Sequence, residues 1–262
     1  MRNYDITNAI ESLAPLRLQE DWDNSGYQIG NPGDECSGVL LCVDVTPAII
    51  KEAVAKKCNL IISHHPLLFR GVKQITGRNR VERTIVEAIL NNITVYSSHT
   101  AVDNAPQGVS WAMAEMLGLT NCRPLVPIRG EENAGCGVVG DLTSPLSPEE
   151  LVKRVKTAFG SPVARCSDIP RGQEKISTVA LCGGAGAEFI TSAIAMGAQA
   201  YITSDTKLNY FLDYVDDIFL IDIGHYESEK CTKHIFYHLL SEKFPNFALF
   251  ISESEKNPIN YL

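Results

Sequence analysis

Apolar residues follow two rhythms along this chain. Short, nearly unbroken runs ("GVLLCVD" at 38–44, "NLIISHH" at 59–65, "ITVYSS" at 93–98) alternate with longer stretches whose apolar positions recur every three or four residues ("TPAIIKEAVAKKC", "RVERTIVEAILNN", "GVSWAMAEMLG"). The first pattern suits strands buried on both faces, the second helices with one apolar face, and their alternation predicts an α/β protein. Local chemistry agrees at the helix ends. Thr46 and Pro47 stand at the N-cap and first position of one helix, Gly118 closes another, and Ser147, Pro148 and Glu150 form a capping box at the start of "SPEELVKRVKTAFG".

The pattern repeats. Shifting the chain by 140 positions lays residues 41–65 over 181–205 without a gap, and Leu41, Cys42, Ile50, Ala53, Ala55 and Ile62 meet identical residues. Two unrelated α/β units can share small helix residues for packing reasons alone, but here each half also continues through a helix and an apolar strand to a histidine with an acid four residues on. These are His99 with Asp103, and His225 with Glu229. The expectation is two related α/β halves, residues 1–125 and 126–262. The boundary falls in the Pro- and Gly-rich stretch 123–137.

Composition narrows the class without naming a function. A hydrophobic content of 45% is enough for a packed core, no run of eighteen apolar residues occurs, and the first residues lack a basic segment followed by an apolar one. A cytoplasmic protein without a membrane span is expected. Eight cysteines without a C-x-x-C pair, several within apolar runs, read as reduced core residues. A net charge of −8 opposes non-specific binding to nucleic acid or anionic membrane.

The candidate chemistry lies at the ends of predicted strands. His64 and His65 close an apolar run and precede Pro66, so a bend there would let both rings face one cavity; one surface and one backbone-bonded histidine is the bland alternative. His225 and Glu229 share one face if their segment is helical, though a helix N-terminus also favours acids for its dipole. His99 and Asp103 have similar spacing, but Pro106 and Gly108 follow and favour a loop. All three groups sit where open α/β sheets place ligand sites. Histidines and carboxylates without cysteine favour Zn, Fe(II), Mn, Co or Ni, and five ligands suit two ions. Weaker candidates are the glycine-rich turn "CGGAGAEF" (182–189), for phosphate or for close packing; the Asp21, Asp23 and Asn24 loop; and His234 with His238, which pack or face solvent.

The order "DNSGYQIG", "IISHHPLLF", "SSHTAVDNAPQGVSWAMAEMLGL", "CGGAGAEF", "AYITSDTK", "LIDIGHYESE" and "NPINY" resembles the YbgI-like dinuclear-metal family, also called GTP cyclohydrolase 1 type 2 or Ngg-interacting-factor-like proteins, over nearly the whole chain. The resemblance implies a short form without an inserted domain and a metal site between the halves, to which the C-terminal part contributes. Its ligands fall on His64, His65, Asp103, His225 and Glu229, with His99 as a reserve ligand or a group beside the centre. It further implies two divalent ions and a homohexamer. The activity it implies is attack of metal-bound hydroxide on GTP or a related purine nucleotide, opening the guanine imidazole ring with loss of formate; Glu227, near the two ligands of its own segment, is a candidate general base unless it is only an exposed helix-end acid. A metal-binding interaction or regulatory protein without turnover is the alternative. Leu208-Asn209 stands where the family usually has Tyr-His, so this chain lacks that histidine.

Overall fold

A computed structural model describes residues 1–262. In chain order the elements are α1 (Asn3–Leu13), β1 (Gly26–Ile29), β2 (Val39–Cys42), α2 (Pro47–Ala55), β3 (Leu60–Ser63), α3 (Arg80–Leu90), β4 (Thr94–Ser97) and α4 (Thr100–Asp103). They continue with α5 (Val109–Leu117), β5 (Leu119–Pro127), β6 (Gly135–Leu146), α6 (Pro148–Phe159), β7 (Arg165–Cys166), β8 (Ile176–Leu181), α7 (Ile190–Ala195) and β9 (Ala200–Thr203). The last are α8 (Leu208–Asp213), β10 (Phe219–Asp222), α9 (His225–Glu229), α10 (Thr232–Lys243) and β11 (Leu249–Ile251).

The chain forms two compact units: residues 1–102 with 232–258, and residues 103–231 with 259–262. Neither is one continuous length of chain, unlike the halves 1–125 and 126–262. The stretch 123–137, expected as a boundary, lies inside the second unit, where β5 and β6 pair antiparallel through Pro127 and Gly135.

In the first unit the strand order is β1-β4-β3-β2-β11, with β4, β3, β2 and β11 parallel and β1 an antiparallel edge. Every residue of β2, β3 and β4 is buried, which is why these strands read as unbroken apolar runs. Ile49, Ile50 and Ala53 of α2 and Ile85 and Ala88 of α3 pack on Leu40, Ile61 and Val95. Each fully buried aliphatic side chain there contributes about 1.5–3 kcal/mol. Glu52 of α2 ties the C-terminal stretch to this layer, accepting from Ser252 Oγ at 2.6 Å and from the Glu253 and Ser254 amides at 3.0 Å.

The second unit repeats the plan. Its order is β5-β6-β8-β9-β10-β7, with β8, β9 and β10 parallel and β7 an antiparallel edge. Thus α1-β1-β2-α2-β3-α3-β4 and α6-β7-β8-α7-β9-α8-β10 run through the same sequence of elements. Strands β3 and β9 stand at the offset of 140 read from the sequence. The duplicated block begins at its leading helix and edge strand, so it is longer than the matching residues alone suggest.

The predicted helix ends form as expected. Thr46 caps α2 behind Pro47, the Ser147 and Glu150 capping box opens α6, and Gly118 closes α5 with φ 69°. No helix is long and apolar enough to cross a membrane. All eight cysteines are free; Cys36, Cys42, Cys58 and Cys182 are buried as expected, whereas Cys166 is exposed.

Candidate metal centre

In the first unit β3 ends at Ser63, and the backbone bends at the histidine pair. The His64 and His65 amides still donate to Cys42 and Val43 carbonyls, at 3.1 and 2.9 Å. Pro66 then has no amide to donate, and the His65 carbonyl instead accepts from the Ser63 and Ser97 hydroxyls at 2.9 and 3.2 Å. This clamp from two neighbouring strands holds the bend at which the two rings lie side by side. Their centroids are 4.9 Å apart, and His99, just after β4, stands 5.3 Å from His64 and 5.5 Å from His65. One ligand atom from each of these three residues lies within 4.8 Å of the others.

What stands behind each imidazole is more telling. His64 Nδ1 faces the Ser98 carbonyl at 3.2 Å, His65 Nδ1 faces Asp44 Oδ1 at 3.2 Å, and His99 Nδ1 faces Asp23 Oδ1 at 2.7 Å. Carbonyl and carboxylate oxygens only accept, so each Nδ1 carries a proton and Nε2 is the ring nitrogen left to ligate a metal. Metal-ligating histidines are oriented in this way.

The supporting carboxylates are themselves held. Asp23 accepts from Thr100 Oγ1 at 2.6 Å, the Thr100 amide at 3.1 Å and Ser25 Oγ at 2.9 Å. Burial pushes its pKa up, but the hydrogen bonds from His99 and Thr100 and the charge of His99 outweigh that and hold the carboxyl far below the usual range. Asp44 is shifted the same way: burial raises it and the hydrogen bond and charge of His65 bring it lower. Glu255, paired with Lys233, fixes the backbone in front of it by accepting from the Val43 and Asp44 amides at 2.6 and 2.9 Å.

In the second unit His225 and Glu229 both lie on the five-residue helix α9, and their Nε2 and Oε2 atoms are 3.0 Å apart. The helical spacing expected from the sequence is realised, but the segment is not one helix, because α10 starts anew at Thr232. His225 Nδ1 faces Asp205 Oδ2 at 2.8 Å, and Asp205 adopts φ 53°, a left-handed conformation tolerated by Asp. Gly184 lies directly against Glu229: a Cβ there would collide with Oε1, lie 3.2 Å from Cδ and 3.5 Å from His225 Cε1.

The glycine-rich turn serves this packing rather than a phosphate. The Gly184 and Gly186 amides donate to Ser228 Oγ and Thr203 Oγ1, each at 2.9 Å, and the Gly184 carbonyl accepts from the Ser204 hydroxyl at 2.6 Å.

Two expectations change, and the choice left open for His234 and His238 is decided. Asp103 ends the helical turn α4 rather than lying in a loop. Glu227, read as an exposed helix-end acid, is 7% exposed. His234 and His238 face solvent. Sequence reasoning marks Asp23 only as a loop residue and Asp205 only through the 140-residue shift that lays it against His65, and it misses Asp44 altogether; the signal that could have found Asp44 and Asp205 is that each stands two residues past a strand end.

These residues form a donor set of imidazole nitrogens and carboxylate oxygens. In the second unit burial first, then the nearby charges of Asp103 and Glu229, push the Cys182 thiol up strongly, and burial with the same two carboxylates takes Cys231 to about 12. Neither thiol belongs to a cluster of ligand atoms, and the chemistry of the imidazole and carboxylate set fits Zn, Fe(II), Mn, Co or Ni. His64, His65 and His99 of the first unit are a group able to hold a metal ion, and His225 and Glu229 of the second offer two more ligand atoms 3.0 Å apart.

Comparison with known proteins finds relatives over most or all of the chain. The chain is 36% identical over 228 residues to a GTP cyclohydrolase 1 type 2 homolog of Clostridium acetobutylicum, covering 86% of this chain and 84% of that one. A GTP cyclohydrolase 1 type 2 homolog of Clostridium perfringens is 32% identical over 265 residues, the whole of both chains. A crystal structure of a hypothetical Staphylococcus aureus protein superposes with a TM-score of 0.90 at 25% identity, covering 100% of this chain and 99% of that one. The family described as Duf34/NIF3 (NGG1p interacting factor 3) matches residues 1–258, and with two sheets of matching plan and histidines backed by acceptors at their strand ends, the chain belongs to that family.

Proposed function

We propose that this protein is a metal-dependent hydrolase of the GTP cyclohydrolase 1 type 2 kind, holding two divalent ions through His64, His65, Asp103, His225 and Glu229. The observation that carries the reading is the acceptor behind every imidazole, Asp44, Asp23, Asp205 or the Ser98 carbonyl. Four histidines with that arrangement are built to offer Nε2. When bound, such ions lower the pKa of water from 15.7 to about 7 and polarise an electrophile, so no Ser or Cys nucleophile is required.

The chain's own residues orient and move protons. Asp44 and Asp205 lock the tautomers of His65 and His225. His99, braced by Asp23, exchanges a proton at Nε2, and Glu227, buried beside its own segment's two ligands, is the second acid–base group. A nucleotide substrate and a hexameric assembly, both carried by the family resemblance, belong to the same proposal.

Elemental analysis of purified protein tests the metal set. Two transition-metal ions per chain are expected, with His65→Ala and Glu229→Ala each losing at least one. Well under one ion per chain, unchanged in both variants, refutes the set. Formate release from GTP tests the reaction. Metal-loaded protein that releases none, and cleaves no phosphoester across a panel, refutes the hydrolase and favours a metal-binding interaction protein. Sedimentation of the full chain reads the hexamer.

A further inference from the structure

Directly after the histidine pair the chain changes character. Between positions 70 and 83 a protein of net charge −8 places five cations, Arg70, Lys73, Arg78, Arg80 and Arg83, against one acid, Glu82. That acid is consumed in shaping the loop. Buried Glu82 accepts from the Thr76 amide and hydroxyl at 2.9 Å, the Arg78 amide at 3.0 Å and Asn79 Nδ2 at 2.7 Å, so the segment is an ordered arch. Its leading end is fixed as well, by Asn24 Nδ2 to the Leu68 carbonyl at 2.9 Å and the Leu68 amide to Gln28 Oε1 at 3.1 Å. Arg80 and Arg83 are spent on backbone carbonyls, whereas exposed Arg70, Lys73 and Arg78 make no ion pair.

At the foot of the arch two aromatic rings stand in solvent. Trp22 is 60% exposed and Phe69 48%, though burying either ring elsewhere in the core would be favourable. They meet edge to face at 6.0 Å, and each also contacts the His99 ring, at 6.0 and 6.1 Å. This corner borders the histidine group. Asp21, exposed beside Trp22, is the opposing charge, and it puts an anionic ligand's charge on the arch side, away from the tryptophan.

We propose that Trp22 and residues 69–83 form a binding site for a phosphorylated planar heterocycle, its ring seated at Trp22 and Phe69 and its phosphates on Arg70, Lys73 and Arg78. Exposed aromatic faces take any flat base by stacking, and the three unspent cations match a short chain of phosphates. The inference rests on the metal-dependent reading for its place beside His99, and it supplies the residues by which that site would recognise its substrate.

Calorimetry on full-length protein, metal-loaded and EDTA-stripped, tests it with GTP, guanosine and tripolyphosphate as probes. The variant Arg70→Gln/Lys73→Gln/Arg78→Gln should bind GTP and tripolyphosphate about tenfold more weakly and guanosine within about twofold of wild type. Trp22→Ala should weaken guanosine and GTP about fivefold or more and leave tripolyphosphate unchanged. All substituted side chains are exposed, and circular dichroism checks their folding. Unchanged GTP affinity in the triple variant overturns the proposal, as does a variant whose only change is its sedimentation mass, or one that loses single-stranded RNA binding while GTP binding persists. Nucleotide binding with no formate release refutes the hydrolase and leaves this site standing. Formate release with an unaltered KM in the triple variant does the reverse.

Discussion

Gly184→Ala is the most direct test of how the second unit holds Glu229. Gly184 has φ +64°, and an added Cβ would overlap Glu229 Oε1 and crowd its Cδ at 3.2 Å. Two costs follow. An L-residue in the left-handed region costs about 1–2 kcal/mol, reduced by about 0.4–1 kcal/mol because alanine restricts the unfolded chain more than glycine does. The collision also requires the carboxylate to retreat on the order of 1 Å, and Glu229 is only 2% exposed, so it retreats into packed neighbours at about 1–3 kcal/mol. Gly197→Ala provides the control. Gly197 has φ +77°, and a Cβ added there would meet nothing within 4 Å, so it carries the backbone cost alone. Urea unfolding should place Gly184→Ala about 1–3 kcal/mol below Gly197→Ala. Titration with zinc should show affinity about 10–100-fold weaker in the first and unchanged in the second, the range for disturbed groups around metal ligands. Equal stabilities and wild-type zinc affinity in both would refute the idea that Gly184 exists to leave room for Glu229.

Three further outcomes are expected. Burial works to raise the Glu52 pKa, but hydrogen bonds from Glu253, Ser252 and Ser254 hold it below its usual value; the stabilisation is whole above the unfolded value of about 4.3 and drains away as pH falls through the lower folded one. Urea titrations from pH 7 to 3 should therefore show Glu52→Gln about 1–3 kcal/mol less stable at neutral pH, with the gap closing in acid; a gap constant with pH contradicts this. With iodoacetamide at neutral pH, mass spectrometry should find Cys166 alkylated first, since it alone is exposed, and Cys42 last, since burial raises its pKa strongly; a fast Cys42 would be inconsistent with this packing. Ser147→Ala removes the cap that accepts from the Glu150 amide and should lower stability by about 1 kcal/mol in urea unfolding, whereas Ser147→Asp should retain most of it.

Sequence by itself determined the features that depend on neighbours along the chain. Two-sided burial makes β2, β3 and β4 unbroken apolar runs, and the 140-residue offset survives because both copies must pack a helix on a sheet. Caps at Thr46, Ser147 and Gly118 are local hydrogen-bond or backbone requirements, legible wherever those residues stand. The i, i+4 spacing of His225 and Glu229 is likewise a one-helix property.

Tertiary structure decided what depends on chain segments meeting. Asp23 reaches His99 across 76 positions, Asp44 reaches His65 across 21 and Asp205 reaches His225 across 20, and no periodicity encodes such pairs. Compactness, too, joins residues 232–258 to the first unit, because β11 pairs with β2 and Glu52 binds the stretch after it. The glycine-rich turn shows the limit most clearly. Its residues suit a phosphate cradle or close packing equally well on paper, and only the hydroxyls of Ser228 and Thr203, arriving from other elements, take its amides and leave Gly184 no room for a side chain beside Glu229.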